Sequence, residues 1–302
     1  MAQGPGASSW YHSSWPPAAW YPDPSGVAEW RYWDGRAWTS EAAVGGQVIA
    51  RPMPPPPPPA AAPAAPSRPE PQPRLPTRAA GIAILGFAVG LAASILLNLG
   101  GRAVGLPRIG RLLVGQAGLW TGLLGACWIV SRRYGTGRLV PDFNLRIDWA
   151  DFGWGFLMSL AARVAVVAVV VPIVAISQKL GGGNDEVFRQ FRPEVSSFVV
   201  VAILAVVGAP IVEELFFRGV LQGAFLDRLG TAGAICVQAV LFGLAHFNPL
   251  LGWDNVSVIA GIGAGGVVFG LTVRLRRLGS SIFAHAFFNL LSVFAAAALA
   301  MA

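Results

Sequence analysis

The sequence predicts an all-α polytopic membrane protein of about seven transmembrane helices, preceded by a small β-type module on a proline-rich linker. Long apolar segments follow one another from residue 79 onward. Only 12% of the 302 residues are charged, whereas soluble domains carry about 25%. Tryptophans and turn signals are concentrated before residue 45, and prolines are concentrated between these two regions.

The first two regions are distinguished by their aromatic and proline content. Residues 1–45 contain short aromatic runs separated by Pro-Asp-Pro-Ser-Gly and Asp-Gly, which are turn signals. This pattern predicts a β-hairpin or a three-stranded unit whose tryptophans form a miniature core. Residues 46–78 include six consecutive prolines. Such a composition favours an extended polyproline conformation, so this region is predicted to be a disordered linker.

Residues 79–302 constitute the predicted transmembrane domain. A spanning helix requires about 20 apolar residues. The segments that meet this requirement cover residues 80–100, 111–131, 152–177, 196–226, 231–250, 256–273 and 281–301. The fourth segment is long for a single span, so it is expected to tilt or to end along the membrane surface.

The positive charges indicate how these segments are oriented. The formal net charge is +7, and the arginines lie at the ends of the apolar segments. This placement is typical of membrane orientation in a lipid bilayer, and it argues against nucleic acid as a partner. The ends on the same side as the N-terminus hold more arginines, including Arg132, Arg133, Arg276 and Arg277. A multi-pass protein of the cell membrane with a cytoplasmic N-terminus is therefore expected.

Charged residues interrupt the apolar stretch GAPIVEELFFRGVLQGAF, residues 208–225. A charge in hydrocarbon costs roughly 2.5–3.5 kcal/mol on insertion scales, so a partner or a function must offset it. Glu214 and Arg218 are four residues apart with the glutamate first, which favours an ion pair on one helix face. Glu213 points elsewhere and is predicted to be the unpaired carboxylate, which suits a general base.

Two later apolar segments carry further polar groups. Phe242 and His246 are four residues apart, and so are His285 and Asn289, so each pair lies on one face of its helix. Converging helices would enclose these groups and Glu213 in one polar pocket. Counting from the segment ends, however, places Glu213, His246 and His285 at different depths. Taken singly, each group also has an ordinary structural interpretation as an interhelical contact.

Arg163 lies in the third apolar segment, LAARVAVVAVVV. An ionisable residue within a membrane is usually functional. Arg163 could instead pair with an acidic group of the pocket, or extend towards an interface. We interpret it as structural and leave it out of the predicted site.

The stretches EELFFR, FGLAH and HAFFN resemble, in order and interval, the three motifs of the CAAX-protease and bacteriocin-processing family, also called the Abi family of intramembrane proteases. The resemblance covers about residues 142–301. It implies an intramembrane endopeptidase acting on a peptide or a membrane-anchored protein, with no implication that the substrate is prenylated. The site residues that it implies are Glu213, Glu214, Arg218, His246, His285 and Asn289.

Two mechanisms are compatible with this resemblance. In a glutamate mechanism, Glu213 and His246 activate a water molecule, while His285 and Asn289 donate hydrogen bonds to the oxyanion. In a zinc-dependent mechanism, as in a metalloprotease, Glu213, His246 and His285 are the metal ligands. The chain contains no His-Glu-x-x-His motif, and adjacent glutamates are an unusual way to present one ligand and one base. The glutamate mechanism is therefore favoured; no cofactor is certain, and zinc is the alternative.

Two functions from other classes compete with the protease interpretation. A non-catalytic membrane protein, such as a bacteriocin-immunity protein or a scaffold, could use the same pocket for binding. A transporter with a proton relay would be expected to show repeat symmetry between its halves. The polar groups of this chain lie in the C-terminal half, which disfavours the transporter.

The N-terminal tryptophan segment, WYPDPSGVAEWRYWDGRAWTS, resembles a short domain of unknown function found in actinobacterial membrane proteins. This resemblance implies an actinobacterial source and brings no activity with it. Exposed aromatic side chains could bind a protein partner, and a passive folded cap is the equally weighted alternative.

Overall fold

The computed structural model describes residues 16–52, 75–177 and 195–301. These residues form two compact units, one containing residues 16–52 and the other containing the rest. The first unit is a β-sheet and the second is helical, which confirms the predicted fold class. Most of the predicted proline-rich linker, residues 53–74, lies outside the described residues.

The N-terminal unit is a four-stranded antiparallel sheet in the order β1-β2-β3-β4. Its strands are Ala19–Pro22, Trp30–Trp33, Trp38–Val44 and Gln47–Ala50. The fourth strand extends the sheet beyond the two or three strands expected from the sequence. It pairs with β3 through Gly45 and Gly46, which both have positive φ. Glycine adopts such angles without a steric penalty, and two adjacent positive-φ residues suit a two-residue hairpin turn.

The core of this sheet is partly ionic. Side chains alternate along β2, so Arg31 and Trp33 are buried on one face while Trp30 is 48% exposed on the other. The Arg31 guanidinium forms an ion pair with Asp23, with Nε 3.0 Å from Oδ1. Trp20 is 37% exposed. The predicted tryptophan core is therefore wrong for Trp20 and Trp30, because the strand period directs them outward.

The Asp23–Arg31 pair makes the module sensitive to acid. Burial favours the neutral acid, but hydrogen bonds from Arg31, Ser25 and Ala28 outweigh it and hold the pKa of Asp23 well below its usual range. An unfolded aspartate has a pKa of about 3.9. Because the pKa of Asp23 is lower in the folded module, the ion pair contributes its full stabilisation above the unfolded pKa of about 3.9. This stabilisation is lost as the pH falls from there through the folded pKa.

Asp23→Asn is expected to destabilise the N-terminal module by about 3 kcal/mol, because it leaves the Arg31 guanidinium buried without its counter-charge. Hydrogen–deuterium exchange of peptides from residues 16–52, measured in the full chain, reports this change as lost protection. Glu41→Gln, at an exposed position of β3, is the matched control and should leave the exchange unchanged. Equal protection in Asp23→Asn and the wild type would contradict a stabilising role for the pair.

The helical unit begins with a tightly packed hairpin. Helix α1 covers Arg78–Ala103 and helix α2 covers Arg108–Tyr134. Gly86 and Gly90 of α1 face Gly122 of α2, and a Cβ atom on any of them would meet the backbone or side chain of the other helix. In a membrane, where lipid is as apolar as leucine, such small residues allow the close packing that holds helices together.

The remaining helices follow in chain order. They are α3 (Leu139–Asp142), α4 (Trp149–Ser177), α5 (Val195–Ile203), α6 (Ala209–Glu214), α7 (Gln222–Leu244), α8 (Asn255–Leu275) and α9 (Leu278–Met301). Two π-helical segments, Leu204–Gly208 and Leu215–Leu221, flank α6. A short 3₁₀ segment, Pro249–Asp254, precedes α8. Single π-helical turns are rare and are frequently found at functional sites.

Six helical stretches within the described ranges are long and apolar enough to span a membrane. The sequence predicted about seven, and the difference lies in one stretch of 48 residues, Ser197–Leu244. It joins the predicted spans 196–226 and 231–250. Gly230 breaks it with φ 66° and ψ −177°, a conformation that is essentially restricted to glycine. The predicted span 231–250 also ends early, because α7 stops at Leu244, before the helix-breaking Pro249.

Candidate active site

Glu214, the last residue of α6, is the centre of a buried polar network. Its Oε1 accepts hydrogen bonds from Arg218 Nη1 at 2.8 Å and from His285 Nδ1 at 3.0 Å. Its Oε2 accepts a hydrogen bond from Ser281 Oγ at 2.6 Å. Three donors compensate the carboxylate for its lost hydration. The Glu214–Arg218 ion pair that the sequence predicted is confirmed.

Arg218 lies in the second π-helical segment and is fully buried among aromatic rings. The carbon at the centre of its guanidinium lies 4.2 Å from the ring centroid of Phe242 and 5.3 Å from that of Phe269. Desolvated cation–π contacts of this kind are worth about 2 kcal/mol or more. Phe242 therefore belongs to the site, and its ring fixes the cation that pairs with Glu214.

His285, in α9, is held on two sides. A carboxylate can only accept hydrogen bonds, so the Nδ1 bonded to Glu214 carries a proton. The imidazole stacks on Phe269 at a centroid distance of 5.0 Å, and Phe242 meets it edge-on at 5.7 Å. These contacts fix the orientation of the ring and leave Nε2 as the nitrogen that Glu214 does not engage.

His246 lies just past the end of α7 instead of within a span. The last carbonyl groups of a helix have no partner inside the helix. One of them, the Phe242 carbonyl, accepts a hydrogen bond from His246 Nδ1 at 2.8 Å. In the neutral imidazole, Nε2 is then the unprotonated nitrogen and can accept a hydrogen bond. The His246 ring also contacts the Phe242 ring, with centroids 4.9 Å apart.

Glu213 is half-buried and differs from its neighbour Glu214 in its contacts. Within the part of the chain that the structure describes, its carboxylate makes no hydrogen bond and no direct ion pair. Its charge acts on the Arg218 guanidinium only through space. The sequence-based expectation that Glu213 is the carboxylate left over is consistent with this geometry.

Asn289 follows His285 by one turn of α9. Its Nδ2 donates a hydrogen bond to the Ala205 carbonyl at 2.7 Å. Ala205 belongs to the first π-helical segment, so this bond joins α9 to the chain that leads into α6. One amide proton of Asn289 is therefore engaged by the protein itself.

Three residues beside this network were not among the predicted site residues, although Gln238 shares the helix face of Phe242 and His246 and Gly266 belongs to a glycine-rich segment. Ser281 precedes His285 by one turn of α9, and its hydroxyl also lies 3.1 Å from the Phe269 carbonyl oxygen. Gln238 Nε2 donates to the Gly266 carbonyl at 2.9 Å. A Cβ atom at Gly266 would lie 3.1 Å from Phe242 Cδ1, so a larger residue there would require the Phe242 ring to shift. The spacing of four between Ser281 and His285 was the available signal for the serine.

The residues proposed as zinc ligands do not assemble into a metal site. Among residues 16–52, 75–177 and 195–301, no three His, Cys, Asp or Glu side chains come together to form a group that could hold a metal ion. Glu213, His246 and His285 therefore do not fit a three-ligand zinc site as they stand.

A bundle of apolar helices around a buried carboxylate, a guanidinium and an oriented imidazole defines a multi-pass membrane protein with an intramembrane polar site. Residues 195–291 match the family model described as type II CAAX prenyl endopeptidase Rce1-like. Residues 18–65 match DUF2510, a family of unknown function. Both matches confirm the resemblances stated from the sequence motifs.

The Rce1-like match supports an intramembrane protease that acts on peptide or protein substrates in the bilayer. The matched residues include all six predicted site residues. No curated protein and no solved structure was found to match the chain.

Proposed function

We propose that this protein is an intramembrane endopeptidase whose general base is Glu213. The observation that carries the proposal is the different environment of two adjacent glutamates. Glu214 is engaged by Arg218, Ser281 and His285, whereas Glu213 keeps a carboxylate that no described residue hydrogen-bonds. A carboxylate with open acceptor positions inside an apolar bundle is suited to take a proton from water.

Glu213 and His246 together bind the attacking water. The Nδ1 proton of His246 is directed to the Phe242 carbonyl, so Nε2 accepts one hydrogen bond from the water. Glu213 takes the other proton as the water oxygen attacks the carbonyl carbon of the peptide bond. The same proton then passes to the leaving amine nitrogen, so the C–N bond breaks and a carboxylic acid and an amine are released.

His285 stabilises the oxyanion of the tetrahedral intermediate. Its Nδ1 proton is engaged by Glu214, so donation from Nε2 requires a ring that carries both protons. Because Arg218 already pairs with Glu214, the additional positive charge of that ring is left for the oxyanion to balance. Asn289 adds a second hydrogen bond through the amide proton that Ala205 does not use. Loss of one such donor typically lowers the rate about 10²–10³-fold.

Cleavage of a library of quenched fluorescent peptides by the detergent-purified protein tests this proposal. A protease releases fluorescence with a defined cleavage site that mass spectrometry identifies. A scaffold or immunity protein would bind some peptides without cleaving any. Binding without cleavage across the library, in bilayer nanodiscs as well as in detergent, would reject the proposed function.

We further propose that the protein resides in the cell membrane with a cytoplasmic N-terminus, as Arg132 and Arg133 at the end of α2, on the same side as the N-terminus, favour. A cysteine at exposed Ser40, in a background lacking Cys127 and Cys236, is expected to react with a membrane-impermeant maleimide only after cells are permeabilised. Val104→Cys, in the loop that follows α1, is the matched control and should react in intact cells. Reaction of the Ser40 cysteine in intact cells would reverse the assigned orientation.

A further inference from the structure

We infer that Arg163 binds a carboxylate of the peptide substrate, beside the site where the peptide bond is cleaved. The identity of the ligand as a substrate rests on the proposed function. Arg163 lies midway along α4, Trp149–Ser177. It is half-buried, and its side chain is directed to α9.

The contacts of the Arg163 guanidinium are all with neutral groups. Nη2 donates to the Phe288 carbonyl and, at 3.0 Å, to Ser292 Oγ. The guanidinium lies over the Phe288 ring, with Cζ 4.6 Å from the centroid. Nε is buried and has no hydrogen-bond partner among the described residues. No described aspartate or glutamate forms an ion pair with Arg163, so its charge is not balanced by this part of the chain.

Both structural explanations considered from the sequence are disfavoured by these contacts. Arg163 does not pair with an acidic group of the pocket among the described residues. It also lies midway along α4, about 21 Å from either end at 1.5 Å per residue, which is the position least favourable for extending a side chain to an interface. A cation in the centre of a membrane is costly. An anionic ligand that arrives with the substrate would offset this cost.

The depth of Arg163 indicates which anion it binds. The hydrocarbon core of a bilayer is about 30 Å thick, so its centre lies roughly 15 Å from the inner edge of the headgroup region that contains the lipid phosphates. A headgroup phosphate cannot reach the middle of α4 without leaving the interface. A carboxylate carried by a peptide that enters the site can do so, and the planar guanidinium is suited to carboxylates.

Arg163 is close to the proposed catalytic groups. Its partner Phe288 follows His285 by three residues, which is about 4.5 Å along a helix axis. The Phe288 ring contacts the Phe269 ring at a centroid distance of 6.0 Å, and Phe269 stacks on His285. Across these two ring contacts, a carboxylate on Arg163 would lie on the order of 10 Å from the reacting bond, which is about three residues of extended chain at about 3.3 Å per residue.

Binding of paired peptides to the Glu213→Gln variant tests the inference without requiring cleavage. In the first pair, one peptide ends in a free C-terminal acid and the other in a C-terminal amide. In the second pair, one peptide has an internal aspartate and the other an asparagine, about three residues from the peptide bond to be cleaved. The charged member of one pair is expected to bind about tenfold more tightly than the neutral member. The pair that shows this preference identifies the source of the carboxylate. Equal binding within both pairs would overturn the inference.

Arg163 variants assign the preference to this residue. Adding Arg163→Gln is expected to abolish it by weakening the charged peptide about tenfold, with the neutral peptide unchanged. Arg163→Lys keeps the positive charge and should retain part of the preference for the charged peptide. This variant therefore tests the inference even if Arg163→Gln fails to fold. Arg274→Gln, at another arginine of the helical unit, is the matched control. A preference that survives in folded Arg163→Gln would overturn the inference. A preference without cleavage by the wild type would reject only the proposed function.

Discussion

Glu213→Gln is expected to lower kcat for peptide cleavage by about 10²–10⁴-fold, which is the usual contribution of a general base. Glutamine keeps the size of the side chain but cannot accept the proton from water. Because no described residue hydrogen-bonds the Glu213 carboxylate and its charge reaches Arg218 only through space, the fold depends little on that charge. The variant should therefore keep the melting temperature of the wild type and should still bind peptide.

Glu214→Gln is the matched control, because it makes the same change at the adjacent residue. Glutamine at this position cannot balance the Arg218 guanidinium or accept hydrogen bonds in the same way from Ser281 and His285. We therefore expect a lower melting temperature together with lost cleavage. The assignment of roles would be wrong if Glu213→Gln melted as low as Glu214→Gln, or if it still cleaved at the rate of the wild type.

Arg218→Met is expected to produce the largest loss of stability, about 3–5 kcal/mol in the free energy of unfolding. The apolar side chain fills part of the space among Phe242, Phe269 and Phe217 but removes the charge that pairs with Glu214. The Glu214 carboxylate is then buried without a counter-ion. Reversible unfolding of the purified protein in mixed detergent micelles measures the change.

A double-mutant cycle separates the ion pair from the other contacts of Arg218. If the pair is the cause, combining Glu214→Gln with Arg218→Met should destabilise the protein by less than the sum of the two single changes. Contacting residues commonly differ from additivity by about 0.5–3 kcal/mol. Strict additivity, or an Arg218→Met variant as stable as the wild type, would show that the buried pair does not hold this site together.

The parts of the site that depend on helix period were predictable from the sequence. The spacing of four residues places Glu214 and Arg218 on one face, and the structure pairs them at 2.8 Å. The same reasoning separates Glu213 from that face. These relations are local, so they hold once the segment is helical, whatever the helices around it do.

The parts that depend on tertiary packing were not predictable. Nothing in the sequence indicates that the ring of Phe269 stacks on His285, or that Gly266 approaches Phe242. Counting residues placed Glu213, His246 and His285 at different depths. The structure joins His285 to the end of α6 and connects His246 to it through the ring of Phe242. The π-helical segments and the break at Gly230 shift side chains relative to a regular α-helix. Neither irregularity can be predicted from the periodicity of a single sequence.

The N-terminal sheet shows the same division on a smaller scale. Gly45 and Gly46 connect the third and fourth strands, and this turn falls at the predicted start of the linker, so the fourth strand was not expected. The buried pair of Asp23 and Arg31 joins residues from different strands and loops. Hydrophobic patterning treats both as surface residues, so the ionic core was missed.

The zinc content of the purified wild type, measured together with cleavage in the presence of a chelator, tests most directly whether Glu213 acts as a base without a metal. The proposed mechanism predicts less than stoichiometric zinc, cleavage that survives chelation, and cleavage that disappears in Glu213→Gln. One zinc ion per chain that is lost in Glu213→Gln, together with cleavage that chelation abolishes, would contradict it. That result would instead make Glu213 a metal ligand.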